Sequence, residues 1–205
     1  IATMKRIYKP TTEFEYSCLN FITLQNVLQN ITGMTLADYA QKNIFDVLGM
    51  KHTTYLPKNK PEIMKLVAPT EKKPDGECFL GEVHDPLARV INHGNSGNAG
   101  VFSNAEDLSI LAAALMNGGE FNGKQVLGKL TVETMTTVPA GFEHLGRPLG
   151  WDNYSDYNSN QGNLFHKTRT FGHTGYTGTS FIVDPVSKTA VILLAHRVHP
   201  EDKGG

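Results

Sequence analysis

The chain has 205 residues, with 19 lysines and arginines against 20 aspartates and glutamates and a formal net charge of −1. Neither sign dominates a segment, which removes the electrostatic case for nucleic acid or an anionic membrane surface, and no apolar run reaches the length of a membrane-spanning helix. One sizeable core, or one and a fraction, is what this length can bury.

Residues 1–15 are polar and extended, with Pro10 and the pair Thr11-Thr12. From Ser17 onward Leu19, Phe21, Ile22, Leu24, Val27, Leu28 and Ile31 recur at helical spacing, and Gly33 supplies a stop. Ser17 is an N-cap by type and place. Thr35 with Asp38 forms a capping box for a second helix through about Val47, with Leu36, Tyr39, Ala40, Ile44, Phe45 and Leu48 as its apolar face and Gly49 as its end. The apolar faces of both helices are expected in the core. Residues 50–100 carry Pro57, Pro61, Pro69, Pro74 and Pro86, a connection long enough either to rim a cleft or to be a surface excursion. Gly94 to Gly100 resembles a phosphate cradle but lacks the Lys-Ser/Thr ending, so a packed turn is expected. Ser103 with Glu106 reads as the capping box of a third helix, Asn104 to Met116, stopped by Asn117-Gly118-Gly119. Asn122-Gly123 marks a hairpin, and a short helix follows near 131–137. Residues 139–168 form a polar loop with the lone tryptophan, Trp151.

The stretch 171–179, Phe-Gly-His-Thr-Gly-Tyr-Thr-Gly-Thr, holds three glycines, which cost a strand interior both packing and entropy. Strands follow at 180–185 and 190–195. Glycines beside such a strand let a ligand approach the backbone and leave N–H groups to point at it, as an oxyanion site requires. The strands are apolar on both faces, so a sheet covered front and back by helices is expected.

Four blocks stand in a familiar order: Tyr16-Ser17-Cys18 at a helix start, residues 43–50, Ala99-Gly100-Val101-Phe102-Ser103, and His173-Thr174-Gly175. Together they resemble the serine beta-lactamase and penicillin-binding-protein superfamily in its class C-like, esterase-like branch, and Asn117-Gly118-Gly119 and residues 197–200 extend the likeness over nearly the whole chain. The resemblance implies an α+β fold of beta-lactamase/transpeptidase type, an antiparallel sheet flanked by helices beside a mostly helical part. Residues 1–138 would hold the helices, the tyrosine motif and the long loop, and residues 139–205 the sheet strands with the His-Thr-Gly motif. It implies acyl transfer by a serine of a Ser-x-x-Lys motif, with no cofactor and no metal. Tyr16 would be the proton-transfer partner and His173 the replacement for the strand lysine. Thr174, Gly175 and the Tyr176 N–H would face the substrate carbonyl, and Cys18 would stand where the family usually has an amide. It further implies an ester or peptide-like small-molecule substrate and a periplasmic or cell-surface location in a bacterium.

Two departures matter. Cys18 replaces the motif's usual asparagine, and no serine of the sequence is followed three residues on by lysine. The chain, beginning at Ile1 without a signal-peptide pattern, therefore reads as the C-terminal part of such a domain, lacking its nucleophile and first strands. Such a domain should leave a sheet edge exposed, or covered by another chain or copy. The resemblance thus points to a fragment of a serine hydrolase; the alternative is a catalytically inactive module binding peptidoglycan-like or glycan ligands. His84, Asp85 and His93 lack zinc-site companions and suit structural hydrogen bonds, as do His52, His144, His166, His196 and His199 at surface or cap positions. Cys18 and Cys78 form no recognisable disulfide or zinc pattern.

Overall fold

The computed structural model describes Lys5 and residues 7–157 and 162–204. Helix α1 (Cys18–Thr32) begins where the Ser17 hydroxyl accepts the Leu19 N–H at 3.3 Å and ends where Gly33 turns left-handed. Its apolar face is not the core face that the spacing predicts: Ile22 is buried, but Leu24, Val27 and Ile31 are exposed, Ile31 at 79%. The buried neighbour of Ile22 is Gln25, whose amide donates to the Asn95 carbonyl at 2.8 Å and accepts the Gly97 N–H at 2.9 Å. The helix therefore docks on the 94–100 turn through a polar side chain. A Cβ at Gly97 would stand 2.2 Å from the Phe21 carbonyl oxygen, so only glycine permits this approach.

Helix α2 (Leu36–Ala40), capped by the Thr35 hydroxyl on the Asp38 N–H, runs through a π-helical turn, Gln41–Phe45, into α3 (Asp46–Leu48). The Asp38 carboxylate returns to the Thr35 hydroxyl at 2.7 Å rather than to its N–H. The short α4 (Pro61–Met64) interrupts the long connection. Helix α5 (Ala105–Met116) is capped by Asn104, not by Ser103: the Asn104 side chain accepts the Asp107 N–H at 2.8 Å, while the Ser103 hydroxyl pairs with Thr53 at 2.7 Å. Strands β1 (Glu120–Phe121) and β2 (Lys124–Gln125) form the hairpin, with Asn122 and Gly123 both at positive φ. Helix α6 (Lys129–Thr136) follows.

Strands β3 (Phe171–Thr174), β4 (Ser180–Asp184) and β5 (Thr189–Leu193) make an antiparallel sheet in chain order, pairing Phe171 with Val183, His173 with Phe181, and Ile182 with Val191. Helix α5 joins two cores. Its Ala114 packs with Ala40, Phe45, Leu48 and Met50. Its Ala112 and Leu115 pack with Val132 of α6 and with Phe171 and Val183 of the sheet. Alanines at these places let the helix lie close to both layers.

One face of the sheet packs on the helices, and the other is covered only in part among the described residues, Ile182 being buried there at 5% exposure. Strand alternation sends Phe171, Phe181, Val183 and Ala190 toward α5 and α6. It turns Val191 and Leu193 the other way, where they remain 43% and 57% exposed. Among the described residues β5 pairs only with β4, which leaves its outer edge unpaired.

Asp107, 3% exposed, accepts both the His52 N–H and the Thr53 hydroxyl at 2.7 Å and so fastens residues 52–53 to the start of α5. Asp107→Ala strands both donors, Thr53 itself being buried, and is expected to cost about 2–3 kcal/mol in urea-induced unfolding.

Candidate active site

Tyr16 is the last residue before the cap of α1, and His173 lies on β3. The fold brings their rings to 6.1 Å between centroids. A third group, which sequence reasoning missed, stands between them. Arg147 follows the left-handed turn at Gly146, and its guanidinium lies 4.8 Å from the centre of the Phe14 ring, 5.6 Å from Tyr16 and 5.5 Å from Tyr157. Tyr157 stacks on Tyr16 at 4.9 Å and 7°. One arm of Arg147 meets Asp152 at 2.9 Å and the other meets His173 Nε2 at 3.1 Å.

The position of Arg147 follows from strand pairing. Asp152 N–H donates to the Gly172 carbonyl at 2.8 Å and Gly172 N–H donates back at 2.9 Å, so the 146–155 loop is pinned along the free side of β3. Gly172 is required there, since a Cβ would stand 2.4 Å from the Phe181 carbonyl oxygen. The Asp152 and Arg147 side chains are 8% and 10% exposed, and the second Asp152 oxygen accepts the Ser155 hydroxyl at 2.7 Å.

Beyond His173, Thr174 ends the strand, and Gly175 accepts the Gly178 N–H while donating to the Thr179 carbonyl at 2.8 Å. Tyr176 is fixed by its surroundings. Its hydroxyl donates to Asp202 at 2.6 Å, His84 stacks on its ring at 5.8 Å, and the Arg197 guanidinium lies 4.4 Å from the ring centre. His84 in turn pairs with Glu71 at 2.8 Å. The long 50–100 connection thus reaches the loop beside the His-Thr-Gly strand and forms part of its rim. Asp85 accepts the Ala88 N–H at 2.7 Å and the Asn98 amide at 3.2 Å. His199 meets the Thr70 carbonyl at 2.8 Å. Cys18, a free thiol, is the first residue of α1 beside Tyr16.

Burial pushes the Tyr16 phenol above its ordinary value, and Tyr157, Cys18 and Asp85 push the same way; the Arg147 charge pulls it down without prevailing. The resting phenol therefore carries its proton at neutral pH. Tyr176 holds Asp202 below the usual carboxylate range, with the Gly204 N–H and Arg197 acting in the same sense.

A family model described as Beta-lactamase matches residues 1–205. The "Putative D-alanyl-D-alanine carboxypeptidase" of Escherichia coli (strain K12) is 31% identical over 206 residues, an alignment covering 94% of this chain and 47% of that protein. The protein of the same name from Salmonella typhi is 31% identical over 205 residues with the same coverage. Among solved structures, the octameric penicillin-binding protein homologue from Pyrococcus abyssi superposes with a TM-score of 0.67 at 22% identity, covering 93% of this chain and 40% of that one. Simvastatin synthase from Aspergillus terreus gives 0.65 at 17%, covering 91% and 51%. Fold, order of motifs and family match agree: the chain belongs to the beta-lactamase family. It spans about half the length of the curated relatives it matches.

Arg147→Ala leaves the buried Asp152 carboxylate without its cation and is expected to lose about 3–5 kcal/mol in urea unfolding; the double substitution R147M/D152N should recover most of that loss. In the double variant, the Tyr16 absorbance titration, isolated by difference against Tyr16→Phe, should move to still higher pH. The downward pull of Arg147 is then gone.

Proposed function

We propose that this chain supplies the proton-transfer and carbonyl-binding side of a serine hydrolase of D-Ala-D-Ala carboxypeptidase, beta-lactamase or esterase type, which works through an acyl-enzyme. The observation that carries this reading is the convergence of Tyr16 and His173, 6.1 Å apart, at the end of the strand whose loop offers Gly175 and Tyr176. The nucleophile would come from a Ser-x-x-Lys segment outside these residues. Serine Oγ attacks the carbonyl carbon, its proton passes toward the Tyr16 oxygen, and the leaving group departs with a proton from the same phenol. Burial holds the Tyr16 proton on, and this gives the lysine of that segment a defined role. A second cation beside the phenol lowers its pKa enough to accept a proton. The Tyr176 N–H would stabilise the developing oxyanion.

A second reading, a non-catalytic module binding a peptidoglycan-like or glycan ligand, is favoured by the lack of Ser-x-x-Lys within the 205 residues and by Cys18 in the tyrosine motif.

The test is labelling with a fluorophosphonate or penicillin probe. Protein that carries this chain together with a Ser-x-x-Lys segment should take up label at that serine, and these 205 residues alone should not. Tyr16→Phe is expected to slow labelling by on the order of 10²–10⁴-fold. Label on Ser17 or Cys18, or an unchanged rate in Tyr16→Phe, overturns the assignment of roles. A parent sequence without the motif, and without labelling, favours the binding reading instead.

A further inference from the structure

Arg147 has no counterpart among the motifs that carry the family likeness, yet it meets both Tyr16 and His173. Its two terminal nitrogens serve different partners, Asp152 at 2.9 Å and His173 Nε2 at 3.1 Å. Guanidinium nitrogens donate and never accept, so His173 Nε2 must present its lone pair. The other ring nitrogen, Nδ1, lies 2.7 Å from the Thr174 carbonyl oxygen, which can only accept. Nδ1 therefore carries the proton. Both contacts select one state, the neutral Nδ1–H tautomer, and an imidazolium would set an N–H against a guanidinium with no acceptor between them.

We propose that Arg147 is the fixed cation of this site, a positioning residue that holds His173 as its neutral Nδ1–H tautomer, so that the imidazole braces the strand and the guanidinium supplies the positive charge. The second half of this proposal rests on the acyl-transfer reading above. The division of labour answers a difficulty in the sequence. Histidine stands where the strand would offer a permanently charged lysine, and an unperturbed imidazole is mostly neutral near pH 7. A charge on the strand is not needed when one is held against it from the neighbouring loop. Arginine is the residue suited to this place, because its planar fork reaches a carboxylate and an imidazole at once and its faces lie against aromatic rings. Phe14, Tyr16 and Tyr157 provide those rings. Of the groups around the phenol, Tyr157, Cys18 and Asp85 oppose its ionisation and Arg147 favours it. The guanidinium is thus the chain's own contribution toward making Tyr16 a proton acceptor.

The first measurement is the ¹⁵N–¹H correlation spectrum of the His173 imidazole at neutral pH, assigned with His173→Gln. The expected pattern is a protonated Nδ1 and an unprotonated Nε2; an Nε2–H tautomer or an imidazolium overturns the proposal. In R147M/D152N, which removes both members of the buried pair and leaves no unpaired carboxylate, Nε2 should show partial protonation. An unchanged spectrum there shows that the Thr174 contact alone sets the tautomer and also overturns it. The second measurement is probe labelling of the protein that carries the Ser-x-x-Lys segment. R147M/D152N should label on the order of 10²-fold more slowly, and R147K, which keeps the charge but not the fork, should recover part of the rate. Normal labelling in R147M/D152N defeats the role of Arg147 and leaves the acyl-transfer reading standing. Failure of the unsubstituted protein to label defeats that reading, and the spectrum then decides the tautomer assignment by itself.

Discussion

The buried contact between Arg147 and Asp152 is the constraint on which the site's geometry depends. A buried ion pair is weak evidence of net stability, because removing two charges from water offsets much of their attraction. Its importance here is geometric. Asp152 is tied through its own backbone to Gly172 of β3, the strand that carries His173. The guanidinium is consequently held between the Asp152 carboxylate and the His173 imidazole, and the aromatic rings of Phe14, Tyr16 and Tyr157 gather around it. Tyr16 directly precedes the cap of α1, so this cluster ties that helix to β3.

A second cluster extends the same strand at its far end. Tyr176 meets the His84 ring and the Arg197 guanidinium, with its hydroxyl on Asp202. Glu71 holds His84, the Thr70 carbonyl holds His199, and the Lys72 N–H donates to the Pro200 carbonyl at 2.7 Å. Three stretches distant in sequence, near 70–85, 175–178 and 197–202, are thereby fastened together. The backbone at Tyr176, the proposed carbonyl-facing element, is itself held by the Arg197 Nε–H, which donates to its carbonyl at 2.7 Å.

Local chemistry was legible in the sequence, and long-range geometry was legible only where a family pattern carried it. Ser17, Gly33, Gly49 and the Asn122-Gly123 turn each act within a few residues, and they define elements as their types imply. Ser103 and Asn104 are both competent caps; the choice of Asn104 was settled by Thr53, fifty residues away, which takes the Ser103 hydroxyl. The apolar spacing of α1 was real but did not say which side faces inward, because the docking contact is the amide of Gln25 against the 94–100 turn. Tyr16 and His173 were singled out by their motifs. Arg147 was not, since nothing around it repeats or caps, and its partners are assembled by the pairing of Asp152 with Gly172. One signal was available: a lone arginine in an otherwise polar Asn/Ser/Tyr-rich loop, a few residues before an aspartate.

Among the described residues, the loop that delivers Arg147 pairs with the sheet backbone at Asp152 and Gly172, on the open side of β3. The pairing is not left to two amides alone. Asp152, Asn153 and Ser155 are buried, and the Trp151 ring packs on Phe171 and Phe181. A segment with this many buried contacts opens together with the core around it, so protection of the Asp152 and Gly172 amides from hydrogen exchange should track that of the neighbouring strand.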